Sequence, residues 1–107
     1  MVTEKRFVIY EIYVFSKPIT FNHLGIPEYG HRESMGFYRD YDTAYQAIKE
    51  NRADIYEAGS YPAALLVKKE EGMYPIAEQL HYFIYNVGTH QYEEHEIPSL
   101  LKRWNLG

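Results

Sequence analysis

The sequence predicts an α+β domain: a mostly antiparallel sheet of about five strands with one main helix packed on a face. Three observations carry that expectation. Runs of β-branched and aromatic residues recur at strand length, and a clear helical stripe occurs once, at Ala44, Ala47 and Ile48. Gly and Pro punctuate the intervals between these segments. The chain is 107 residues long, 46% hydrophobic and 17% aromatic, which is enough apolar matter for a single domain over 1–107.

Arg6 to Phe15 (RFVIYEIYVF) contains nothing that breaks a strand. Phe7, Ile9, Glu11, Tyr13 and Phe15 share one face, and Val8, Tyr10, Ile12 and Val14 the other. Both faces are apolar except at Glu11, so this is expected to be an interior strand covered on both sides. Ser16-Lys17-Pro18 ends it, and Ile19 to Gly30 follows as a loop. His31 to Arg39 forms a second strand, with Gly36 at a bulge or close approach. Asp40 or Asp42 caps a helix over Thr43 to Asn51. Arg52 to Tyr56 adds a turn or short strand, and Ala58-Gly59-Ser60 with Pro62 leads to a third strand, Ala63 to Lys69. Glu70-Glu71-Gly72 and Met73-Tyr74-Pro75 connect it to a hairpin, Gln79 to Val87 and His90 to Ile97, turning at Gly88-Thr89. That turn sets Tyr85 against Tyr92, Phe83 against Glu94 and His81 against Glu96; Ile84 meets Glu93, Tyr82 meets His95 and Leu80 meets Ile97. From Pro98 a short helix or turn brings Leu100, Leu101 and Trp104 back onto the core. The order is β-β-α-β-β-β plus that C-terminal piece.

Composition excludes several functions. The formal charge of −4 makes a poor general binder of duplex nucleic acid, whose affinity comes largely from Lys and Arg. Absence of cysteine removes disulfide scaffolds, thiolate zinc sites and Cys nucleophiles. No apolar stretch approaches membrane-spanning length, and Met1 to Arg6 lacks a signal-peptide core, so a cytoplasmic protein is expected.

The segments Tyr29-Gly30, Arg32 and Gly36-Phe37-Tyr38, the helix Ala44 to Asn51, Asp54-Ile55 with Glu57, and Gly72-Met73-Tyr74-Pro75 form a recognisable pattern. In these motifs the chain resembles small uncharacterised proteins of Gram-positive gut bacteria and their phages. The resemblance covers about the middle half of the chain and transfers no catalytic residue. It implies a mobile-element setting, in which small cytosolic proteins often inhibit host defence systems.

Four chemistries follow from the residues. His81, His90, His95, Glu93, Glu94 and Glu96 have metal-ligand identities, but His90 and His95 are five apart on a strand and point to opposite faces. A charged edge strand that resists pairing explains them, and no metal or other cofactor is expected. Glu11 in an apolar strand is placed where burial raises a carboxyl pKa, with His31 or Arg32 as partners for acid–base work. No nucleophile or phosphate-loop motif accompanies it, so the chain is read as non-enzymatic. Tyr29, His31, Arg32, Tyr38 and Arg39 combine stacking rings with guanidinium groups that suit a nucleotide or cyclic-nucleotide ligand. The leading reading is a protein-binding surface on the hairpin, made by Tyr85, Tyr92, Glu93, Glu94 and Glu96 and directed at a host protein. In that surface Tyr92 is the anchor and the glutamates supply long-range attraction to a basic groove. A monomer and a homodimer through an exposed strand edge are both consistent with the sequence.

Overall fold

The computed structural model describes residues 7–52, 55–56, 60–70, 77–99 and 101. Among the described residues seven strands and one helix run in the order β1 (Val8–Phe15), β2 (Thr20–Phe21), β3 (Pro27–Glu28), β4 (Arg32–Tyr38), α1 (Tyr41–Lys49), β5 (Ala63–Glu70), β6 (Ala77–Asn86) and β7 (Gln91–His95). The main sheet has five strands in the order β4-β1-β5-β6-β7, and each neighbouring pair is antiparallel. A separate two-stranded sheet pairs β2 with β3. This is the α+β architecture that the sequence patterning predicts.

The two apolar faces of β1 each meet a cover. On one side Ile12 and Val14 join Ala64, Leu66, Phe83 and Tyr92 beneath Ala44, Ala47 and Ile48 of α1. On the other, Tyr13 and Phe15 join Ala63, Leu65, Val67 and Tyr82, with Ile19 and Leu101 packed over them. Alternation along β1 therefore feeds two cores, as expected of an interior strand.

The helix opens two residues earlier than the apolar stripe implies. Asp40 is the N-cap, its carboxylate accepting from Thr43 N at 2.8 Å, so the first turn starts at Tyr41. Helical residues end at Lys49, and Asn51 beyond them takes a positive φ of 50°.

Ile19 to Gly30 is not plain loop, because β2 and β3 form a small hairpin within it. Asn22 organises the turn: its Oδ1 accepts from Leu24 N and Ile26 N. Ile19 then locks the segment to the sheet by donating its N–H to Tyr82 OH at 2.9 Å. Gly30, at φ +69°, lies against Ser16, where an added Cβ would stand 2.2 Å from Ser16 Oγ.

The β6–β7 register agrees with the expected one at Tyr82↔His95, Phe83↔Glu94, Ile84↔Glu93 and Tyr85↔Tyr92. The turn is longer, from Val87 to His90, because His90 adopts φ 59° and donates its N–H to Asn86 O. The ladder stops at His95, so the expected pairs His81–Glu96 and Leu80–Ile97 lie beyond it. Met1 to Arg6, Asp54, Glu57, Ala58, Gly59, Glu71 to Pro75, Leu100 and Trp104 lie outside the described residues.

Candidate functional site

The hairpin residues do not form one exposed surface. Tyr92 is fully buried on the helix side of the sheet, and its hydroxyl donates to Tyr61 O at 2.6 Å. It is a core residue and not an interface anchor; burial raises its phenol far above the ordinary value. Tyr85 is partly buried, stacked on Tyr56 with ring centroids 3.6 Å apart and edge-on to Tyr92. Glu93 accepts from Asn86 Nδ2 at 2.8 Å. Glu94 lies on the helix face and Glu93 on the other, as strand alternation requires. Glu96 is exposed, just past the end of β7.

Glu94 takes part in a relay that the sequence reading did not foresee. His81 Nδ1 lies 2.9 Å from Glu94 Oε2, Tyr45 OH donates to Glu94 Oε1 at 2.9 Å, and Tyr41 OH hydrogen-bonds His81 Nε2. A carboxylate only accepts, so Nδ1 donates to Glu94, while Nε2 shares the second bond with Tyr41 OH. The bond from His81, then that from Tyr45, hold Glu94 below the usual carboxylate range despite some burial. Burial and the Glu94 charge push Tyr41 and Tyr45 upward. That direction is opposite to what an activated phenolate nucleophile needs. What the network does mechanically is clamp the start of α1 to β6 and β7.

On the opposite face Glu11 has partners other than those expected. Lys69 Nζ is 2.6 Å from Oε1, Tyr13 OH donates to the same oxygen at 3.0 Å, and Ser34 Oγ donates to Oε2 at 2.6 Å. Burial alone would raise this carboxyl, but the bonds from Lys69, Ser34 and Tyr13 outweigh it and leave the pKa lowered. A base poised near neutrality is therefore not what the site makes. Lys69 is the one charge on the Ala63-Leu65-Val67-Lys69 face, as Glu11 is on its own, but only the adjacency of β1 and β5 makes them partners.

The residues considered for a nucleotide are dispersed. Arg32 pairs in register with Phe15 and Tyr38 with Tyr10, which places them on opposite sides of the sheet. Arg32 lies over the Tyr13 ring, Arg39 over Phe7, and Tyr29 packs edge-on against Phe15. His31 is exposed, 3.9 Å from Glu33. Among the described residues no three His, Asp or Glu side chains are grouped to hold a metal ion, and no helix is long and apolar enough to cross a membrane.

The remaining feature is β4 itself, an outer strand of the sheet. Every residue from Arg32 to Phe37 is exposed. The register passes from Ile12↔Gly36 to Tyr13↔Ser34, so Met35 is the bulged extra residue. Met35 is 40% exposed and Phe37 58%. Gly36 sits at φ +114°, a conformation that other residues adopt only under strain. Among the described residues no strand pairs with the outer side of β4, and exposed methionine and phenylalanine on such an edge are ingredients of strand addition. No protein-family model, curated protein or solved structure matches this chain.

Proposed function

We propose that the chain is a non-enzymatic binding protein that holds another polypeptide along the outer edge of β4. The resemblance makes a host protein, such as a defence-system component, the class of target. The observation that carries this reading is the contrast between the two edges of the sheet. β7 has five residues, charged at Glu93 and Glu94, and its large ring, Tyr92, is buried. Such an edge resists pairing. β4 has seven residues and exposes Met35 and Phe37 next to Arg32 and Tyr38. Main-chain bonds to an added strand would supply affinity there, and the apolar side chains would supply anchors.

The test is site-specific photo-cross-linking in bacterial cells, with the reactive group at position 37 or at position 96. Covalent adducts with another polypeptide are expected from position 37 and not from 96. Adducts from position 96 alone would return the contact to the acidic hairpin. A nucleotide mass retained in native mass spectrometry, with no adduct from either position, would favour a small-ligand pocket.

A further inference from the structure

Arg32 and Phe37 are five residues apart, a spacing that in a regular strand sends two side chains to opposite faces. The Met35 bulge cancels that alternation. Arg32, Ser34 and Phe37 stand opposite Phe15, Tyr13 and Glu11, so all three lie on the side of the sheet covered by Ile19 and Leu101. Contacts agree with the register: the Arg32 guanidinium lies 5.2 Å from the centre of the Tyr13 ring, and Ser34 Oγ donates to Glu11 Oε2. Glu33, opposite Val14, is on the helix side, where it accepts from Tyr61 OH. Charge is therefore sorted by face along this edge. On the Phe37 side β1, β4 and β5 contribute Glu11, Arg32 and Lys69; Glu11 and Lys69 pair with each other at 2.6 Å, so Arg32 sets the sign. On the helix side the charge that β4 presents is Glu33.

We propose that the strand held along β4 carries an Asp or Glu four residues from a large apolar residue, so that one of its faces meets both Arg32 and Phe37. This rests on the reading of β4 as the contact edge and specifies the chemistry of the target. β1 gives the spacing: Phe15 and Glu11, the residues opposite Arg32 and Phe37, are four apart, and a regular strand on the outer side spans the bulge in the same way. An arginine fork takes a carboxylate through two parallel bonds while its flat face rests on a ring. Phe37, well exposed, offers the apolar contact. Carboxylates at consecutive positions are disfavoured, because the second falls on the Glu33 side. Charge thus selects the register as well as the partner, since a slip of one residue carries the carboxylate from the face of Arg32 to that of Glu33.

Selection from a displayed library of random peptides about ten residues long tests it, with the full chain as bait in wild-type form and as Arg32→Glu, Arg32→Gln and Glu96→Lys. Wild type should enrich peptides that hold Asp or Glu four positions from a large apolar residue, in either chain direction, at least about tenfold over the unselected pool. Arg32→Glu should lose that preference and favour Lys or Arg at the same place. Arg32→Gln should show no preference of sign, and Glu96→Lys, at the far edge, should select as wild type does. Arg32 also packs on Tyr13, so circular dichroism checks each fold; Arg32→Gln, which keeps the length of the side chain, decides the matter if the charge reversal does not fold. A wild type that selects no acidic residue at that spacing, or an acidic preference that survives in Arg32→Gln, would overturn the inference. Cross-linked adducts at position 37 without an acidic preference remove the inference but keep the edge reading; failure of both measurements removes both.

Discussion

Lys69 Nζ stands 2.6 Å from Glu11 Oε1 on adjacent strands, and Tyr13 OH bridges them, accepting from Lys69 and donating to Glu11. In register Glu11 faces Val67 and Ile9 faces Lys69, so the ions meet on the diagonal of one face. The arrangement turns a partly buried carboxylate from a cost into a tie between β1, β4 and β5.

The tie has a pH signature. Glu11 titrates below its ordinary value in the fold, so the stability it contributes is present above the unfolded carboxylate pKa and is lost as pH falls through the folded one. Glu94 acts in the same direction. Lys69 is raised, and its share is lost only as pH climbs through its folded value, above the ordinary lysine range. Urea unfolding across an acid series should show stability declining below the carboxylate range, with a shallower decline in Glu11→Gln. Equal slopes in the two proteins would contradict this assignment.

Tyr92 is expected to behave as core. Tyr92→Phe removes the bond to Tyr61 O and should cost about 1 kcal/mol, while Tyr92→Ala should cost about 3–5 kcal/mol. Denaturant titration reads both. A stable Tyr92→Ala protein with only its binding impaired would restore the ring to the surface.

Ile48 is fully buried between α1 and the sheet. Ile48→Ala should lower the unfolding free energy by about 2–5 kcal/mol, as filled cores do when a branched side chain is cut back. A change under about half a kcal/mol would mean that the helix does not pack there.

What was legible in the sequence was whatever local pattern decides. Two-sided apolar alternation marked β1 as interior, Asp40 and Asp42 bracketed the helix start without choosing between them, and four of the pairs opposed across β6 and β7 followed from their spacing. The β2–β3 hairpin was not legible, because each strand has two residues and depends on the Asn22 turn and on Ile19 meeting Tyr82. Strand order was also hidden: β1 lies beside β5, and no local pattern announces that Lys69 will meet Glu11. Tyr92 was misplaced for a related reason. Its strand is charged and at an edge, yet its own face lies under α1 and Tyr56, which are far away in sequence. β4 reads as a strand from its residues, but its place at the edge of the sheet among the described residues came only from topology.

The central claim is that β4 holds the target, and the sharpest measurement is the affinity of the polypeptide captured from position 37 for two variants. Phe37→Ala alters a side chain that is 58% exposed, so folding stability should stay within about half a kcal/mol. Loss of an interface anchor should nevertheless weaken binding about thirtyfold or more. Glu96→Lys, at the opposite edge where the side chain is exposed, should leave that affinity nearly unchanged. Full affinity in Phe37→Ala together with collapse in the charge-reversed hairpin would contradict the account.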